Sequence, residues 1–220
     1  MKTDCQFILR DMLPDAFASE PGSHSSSDIW LNPHREFLPG HRYLVDAESG
    51  RGKSSLCGYL HGNRDDYSGT LSVGGLDARR ISRADWTRLR RETIAYLPQE
   101  LGIFPSLTAW ENIQLKNRLT SHKSDTEIME MLDTVGLAQL SDRLAGRLSI
   151  GQQQRVALVR ALCQPFSMLL LDEPVSHLDR EANIAVARLV SREASRKNAT
   201  VITTSVGNDL LLDGCERLSL

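Results

Sequence analysis

The chain has 220 residues, 25% of them charged, and a formal net charge of −2; that size allows one large or two small domains around a buried core, without the basic excess of a chain that wraps nucleic acid. No apolar run approaches the roughly 18 residues of a membrane span, and no apolar leader follows Met1. Cys5, Cys57, Cys163 and Cys215 are scattered without metal or redox spacing, which reads as reduced thiols in a cytosolic protein.

Residues 1 to about 45 carry the weakest signals. Gln6–Leu9 reads as a strand, Ser19–Asp28 as a loop by composition, Ile29–Leu31 as a second short strand and Pro39-Gly40 as a turn. Tyr43–Val45 then reads as a strand running into a glycine-rich loop, Ala47–Ser55. The phosphate-loop pattern asks for Gly, four residues, then Gly-Lys-Ser/Thr. Ala47 departs from it at the first position, but the chemistry is present. Ser49, Gly50, Arg51, Gly52, Lys53, Ser54 and Ser55 are the candidate phosphate contacts. The glycines turn backbone N–H groups toward phosphate oxygens, Lys53 supplies a point charge, and Ser54 supplies a hydroxyl for Mg²⁺. A helix from Ser54 to about Tyr59 aims its positive end at the same phosphates.

Tyr67–Gly75 alternates and ends in glycines, a hairpin edge. Arg83–Arg91 predicts a polar helix with a solvated basic face, and Ile94–Leu97 a strand stopped by Pro98. Thr108 is placed to cap a helix with Glu111 in its first turn. Asp125–Val135 predicts another helix, buried along Ile128, Met129, Leu132 and Val135 and stopped at Gly136. Ser149, Ile150 and Gly151 open a helix over Gln152–Leu162, and a helix start is a ready anion site. Met168–Leu171 is apolar throughout, as expected of a parallel strand buried on both faces. It ends in Asp172, placed to hold Mg²⁺, and Glu173, placed to act as general base. His177 has no His or Cys at ligand spacing and reads as no metal ligand.

Leu148–Arg155 lies about twenty residues before the Met168–Pro174 run, and the Gly50–Ser54 loop lies upstream. Together they resemble the signature, carboxylate strand and phosphate loop of the ATP-binding cassette (ABC) ATPases. Gln99, in Tyr96-Leu97-Pro98-Gln99-Glu100, resembles the Q-loop, and Ser176–Asp179 the D-loop; the motifs span about Tyr43 to Ser205, in the family's order. The resemblance implies a P-loop NTPase α/β fold: a mostly parallel core sheet, a small antiparallel β subdomain and a helical arm. Residues 1–220 would form one ABC ATPase domain, with the β subdomain and core over about 1–98 and 163–220 and the Q-loop, arm and signature helix over about 99–162.

It also implies ATP and Mg²⁺ as ligands, with Gln99 at the Mg²⁺ and the attacking water, Asp172 on the Mg²⁺ and Glu173 as base. An aromatic near residues 1–45 would stack on adenine; Phe17, Trp30 and Phe37 are candidates, with Phe17 favoured by its position before the loop. Ser149 and Gly151 would close over the γ-phosphate held by a second subunit, a homodimer or a paralogous cassette. The implied function is the ATPase subunit that energises a separate transmembrane permease, peripheral on the cytoplasmic face of the inner membrane. The stretch after Gln99 looks most like exporter-type subunits, including those of lipoprotein release. A regulator of a cell-envelope complex without transport and a cassette with little hydrolysis are the alternatives; nucleic acid is not an expected partner. Two positions depart from the pattern: Ile150 stands where a glycine is usual, and Val206 where a histidine contacts the γ-phosphate. Ser205 or Asn208 are the candidate substitutes for that histidine.

Overall fold

The computed structural model describes residues 6–19, 22 and 26–220. Cys5 and half of the loop expected over Ser19–Asp28 lie outside them. In chain order the elements are β1 (Phe7–Pro14), β2 (Arg35–Phe37), β3 (Arg42–Asp46), α1 (Lys53–Leu60), β4 (Tyr67–Val73), β5 (Leu76–Asp77), α2 (Arg83–Glu92), β6 (Ile94–Leu97), α3 (Ala109–Asn117), α4 (Asp125–Thr134), α5 (Ile150–Leu162), β7 (Met168–Leu171), α6 (Arg180–Lys197), β8 (Thr200–Ser205) and β9 (Cys215–Ser219). An antiparallel sheet has strand order β2-β1-β4-β5, and a parallel sheet has strand order β6-β7-β8-β3-β9.

The apolar run of β7 is explained by burial on two sides. Met168 and Leu170 pack into one core with Tyr43, Val45, Leu56 and Ile202. Leu169 and Leu171 point the other way, into a second core with Val156, Val159, Val190 and Val201. The two-residue period of a strand splits its side chains between these layers, and each contributes roughly 1.5–3 kcal/mol by leaving water. The register aligns Leu97 with Leu171 and Leu171 with Thr203, and Val45 with Thr204. The loops after β3, β6, β7 and β8 therefore emerge along one carboxyl edge, where open α/β sheets hold ligands.

Between β6 and β7 the chain builds a helical arm. Thr108 and Glu111 form a reciprocal capping box at the start of α3, and Ser124 and Glu127 form another at α4. Hydrogen bonding from the Ser124 backbone N–H, with Lys123 beside it, draws the Glu127 carboxyl down to about 2. The buried stripe of α4 is Ile128, Met131 and Leu132, with Val135 just beyond, whereas Met129 faces solvent. Met129 was expected in the core, but it sits one position off the stripe that packs on α5 and α6.

Ile29–Leu31 is a turn and not the strand expected there. The Ser27 hydroxyl accepts from the N–H groups of Ile29 (3.1 Å) and Trp30 (2.8 Å), and Leu31 is left-handed at φ 56°. These local bonds compete with a ladder. The second strand of this region is Arg35–Phe37, paired with β1 through Phe7 and Phe37.

Candidate nucleotide site

The phosphate loop leaves β3 and enters α1 through two left-handed glycines, Gly50 at φ 83° and Gly52 at φ 95°. Gly52 is the N-cap of α1, so no N-cap side chain bonds to the first-turn N–H groups. Those groups and the helix dipole form an anion-binding end. Lys53 is 5% exposed. Its Nζ donates to the carbonyls of Ala47 (2.7 Å) and Glu48 (2.9 Å). Ala47 thus contributes a main-chain oxygen, which any residue supplies, so its departure from glycine leaves this contact intact.

Of the three candidate aromatics, Trp30 and Phe37 are 1% exposed. Trp30 braces the loop from beneath, its Nε1–H donating to the Arg51 carbonyl at 3.3 Å. Phe17 is half-buried at the end of a single 3-10 turn, Asp15–Phe17. A Cβ on Gly52 would meet Phe17 at 3.0 Å and Trp30 at 3.2 Å. Gly52 is therefore required twice, by its positive φ and by the two rings against it.

The opposite side is assembled from distant residues. Gln99 follows β6, and its Nε2 donates to Glu173 Oε2 at 3.4 Å. Asp172 is 2% exposed, and its Oδ1 accepts from the Thr204 hydroxyl at 2.7 Å. The same hydroxyl oxygen accepts from the Glu173 N–H at 3.0 Å. Glu173 has φ 50°, uncommon for a side chain with a Cβ. Its carbonyl accepts from Gln154 Nε2 at 3.0 Å. Beneath the loop, burial first and the charge on Asp172 second push the Cys57 thiol well above its usual value, so it stays protonated and inert. Burial also raises the Tyr96 phenol and lowers His61 to about 4.

Ser149 caps α5: its hydroxyl accepts from the Gln152 N–H (3.3 Å), and Gln152 Oε1 accepts from the Ser149 N–H (2.9 Å). Ile150 is 50% exposed. Gly151 lies so close to the following loop that a Cβ there would stand 2.8 Å from the His177 carbonyl oxygen. Gln154 seals the junction: Nε2 also donates to Ser176 Oγ (3.2 Å), and Oε1 accepts from the His177 N–H (3.2 Å). Among the described residues no hydrogen bond joins the Ser149 segment to the phosphate loop of its own chain. Gln99, Asp172 and Glu173 are brought together; among the described residues no hydrogen bond joins Ser149 or Gly151 to them.

In the segment expected to replace the histidine, Val206 is 49% exposed and Ser205 is 1% exposed. Asn208 Nδ2 donates to the Val175 carbonyl at 2.6 Å. Sequence reasoning missed Thr204, Gln154 and the bracing role of Trp30. It also missed Arg160, whose guanidinium donates to the carbonyls of Leu101 and Gly102 after Gln99. Of these, only Gln154 lies inside a motif, the signature, that could have pointed to it.

A family model described as ABC transporter matches residues 34–176. The chain is 38% identical over 201 residues to the phosphate-import ATP-binding protein PhnC of Mycolicibacterium smegmatis, covering 86% of this chain and 74% of that protein. It is 28% identical over 205 residues to a lipoprotein-releasing system ATP-binding protein, LolD 1, of Rhodopirellula baltica, covering 92% and 90%. Some relatives are longer, and the chain spans 53% of their length. Among solved structures, a dimeric ATP-binding cassette in a post-hydrolysis state, bound to ADP and Pi, aligns with a TM-score of 0.71 at 25% identity, covering 80% of this chain and 78% of that one. With the glycine-rich loop, the paired carboxylates and the Ser149 helix set around one parallel sheet, the chain belongs to the ABC transporter family, as an ATP-binding and ATP-hydrolysing subunit of the kind that energises transport.

Proposed function

We propose that this chain binds ATP with Mg²⁺ at the Lys53 loop and hydrolyses it within a dimer, each Ser149 helix start closing over the γ-phosphate held by the other copy. The carrying observation is the bond between Gln99 and Glu173 at the shared carboxyl edge of β6 and β7. Gln99 uses its amide nitrogen there, which leaves its carbonyl oxygen for an ion. With Ser54 and Asp172 that makes a set of hard oxygen donors suited to Mg²⁺. No group of three or more His, Cys, Asp or Glu gathers among the described residues. When bound, Mg²⁺ neutralises charge on the β- and γ-phosphates.

The chain's own residues do the rest. Lys53 and the α1 N-terminus bind and orient the phosphates. Phe17, half-buried beside the loop, stacks on the adenine. Glu173 takes the proton of the attacking water, positioned by Gln99. Closure and reopening of the dimer drive a separate transmembrane permease from the cytoplasmic face of the membrane. No helix of the described chain is long and apolar enough to cross a membrane itself. Phosphate import and lipoprotein release both occur among the relatives' names, so cargo and direction belong to the permease.

Val206 favours one second reading, a cassette that binds ATP and turns over slowly, because an exposed aliphatic replaces the histidine. Steady-state hydrolysis of the wild type beside Glu173→Gln, with a sizing column in ATP and Mg²⁺, tests both. Turnover lost in Glu173→Gln together with a trapped dimer supports the proposal. A Glu173→Gln protein that stays monomeric with ATP bound refutes the cross-subunit site.

A further inference from the structure

We infer that Thr204 is a positioning residue for both catalytic carboxylates, which no motif marks. Its hydroxyl occupies one point between two functional groups. It donates to Asp172 Oδ1 at 2.7 Å and accepts from the Glu173 main-chain N–H at 3.0 Å. Thr204 is 1% exposed and Asp172 is 2% exposed, so the bond between them is shielded from water. The direction of the chain is fixed. Asp172, as a carboxylate, only accepts, so the hydroxyl proton must point to it, which leaves the oxygen's lone pairs for the N–H. Each bond polarises the next.

The consequence for Asp172 is orientation. One oxygen is committed to Thr204, so the other is the one presented to an ion. The consequence for Glu173 is main-chain placement. At φ 50° its backbone is in a sparsely populated region, which persists only where the surroundings over-determine it. The Thr204 hydroxyl holds its N–H, Gln154 holds its carbonyl at 3.0 Å, and Gln99 reaches its carboxylate. β8 thus reaches the carboxylates through a buried side chain at 204, two residues before the exposed Val206.

The inference rests on the proposed roles of Asp172 and Glu173, and its test separates the two. The variants are Thr204→Val, which keeps the shape and removes the hydroxyl, and Thr204→Ser, which keeps the hydroxyl. Steady-state hydrolysis and binding of a fluorescent ATP analogue, with and without Mg²⁺, are measured on each. Thr204→Val should lose roughly ten- to a hundredfold in kcat, the scale of a buried hydrogen bond to a charged group. Nucleotide affinity without Mg²⁺ should change less than about twofold, while the gain in affinity on adding Mg²⁺ shrinks. Thr204→Ser should restore both readouts to near wild type. A Thr204→Val protein with wild-type kcat and Mg²⁺ response overturns the inference. So does a loss that Ser fails to rescue, or one matched by lost affinity without Mg²⁺. If Thr204→Val does not fold, Thr204→Cys beside Thr204→Ser carries the same comparison, and a fast Cys variant overturns it. Glu173→Gln is the control: if it still hydrolyses ATP, the base assignment has failed, whatever Thr204 does.

Discussion

The phosphate-loop edge of the site is one run of chain, Ala47–Ser55, shaped by Gly50 and Gly52 and by the helix they open. The other edge draws Gln99, Gln154, Asp172, Glu173 and Thr204 from four points along the sequence and links them through side-chain and main-chain hydrogen bonds. The first edge presents main-chain N–H groups and one lysine, which in the proposed reaction would recognise phosphate in any of its states. The second presents groups whose proposed task depends on angle and distance to a single water. A contiguous loop is suited to binding, and an assembled cluster to chemistry, because only the cluster can be held from several directions at once.

That contrast is broken if either edge takes on the other's task, and four substitutions test it. Glu173→Gln should lower turnover most, by about 10²–10⁴ for removal of a general base, with ATP affinity unchanged; a steady-state assay beside a binding titration measures both. Lys53→Ala should do the reverse and weaken ATP binding by about a hundredfold, since charge-assisted hydrogen bonds to phosphate contribute about 1.5–3 kcal/mol each. Unchanged affinity in a fluorescence titration would end the assignment of the loop. Gly52→Ala sharpens the picture, because it adds only a methyl. Strain at positive φ costs about 1–3 kcal/mol, and the Cβ would also press on Phe17 at 3.0 Å. Nucleotide affinity should fall about tenfold while kcat at saturation holds. Val206→His should have the smallest effect, a rise in kcat of about fivefold, one hydrogen bond's worth. A rate that stays flat would place the limit on turnover elsewhere.

The same contrast explains what could be read beforehand. The loop, the Met168–Leu171 strand and the Thr108 cap are written in short runs whose spacing carries the physics, and the unread Ser124 cap follows the same spacing. Thr108 with Glu111 and Ser124 with Glu127 lie three apart, and β7 is apolar on both faces. Thr204 lies 32 residues from Asp172 in a stretch of β-branched residues that looks like any strand, so nothing local sets it apart from Thr203. Trp30 could be seen as an aromatic but not as the donor under Arg51. The Ile29–Leu31 error has the same origin: one hydroxyl, Ser27, redirected an apolar triplet into a turn. Met129 was misplaced because three- and four-residue spacing admits two neighbouring stripes on one helix, and only the packing partner chooses between them.

Gly151 has a consequence for communication. With a Cβ position only 2.8 Å from the His177 oxygen, the signature helix and the loop behind Glu173 have no slack between them. Gln154 pins the same seam with three hydrogen bonds. The two segments are joined along this seam. In the dimer proposed above, a change in the pose of Glu173 would reach the Ser149 tip through this seam without a change of fold.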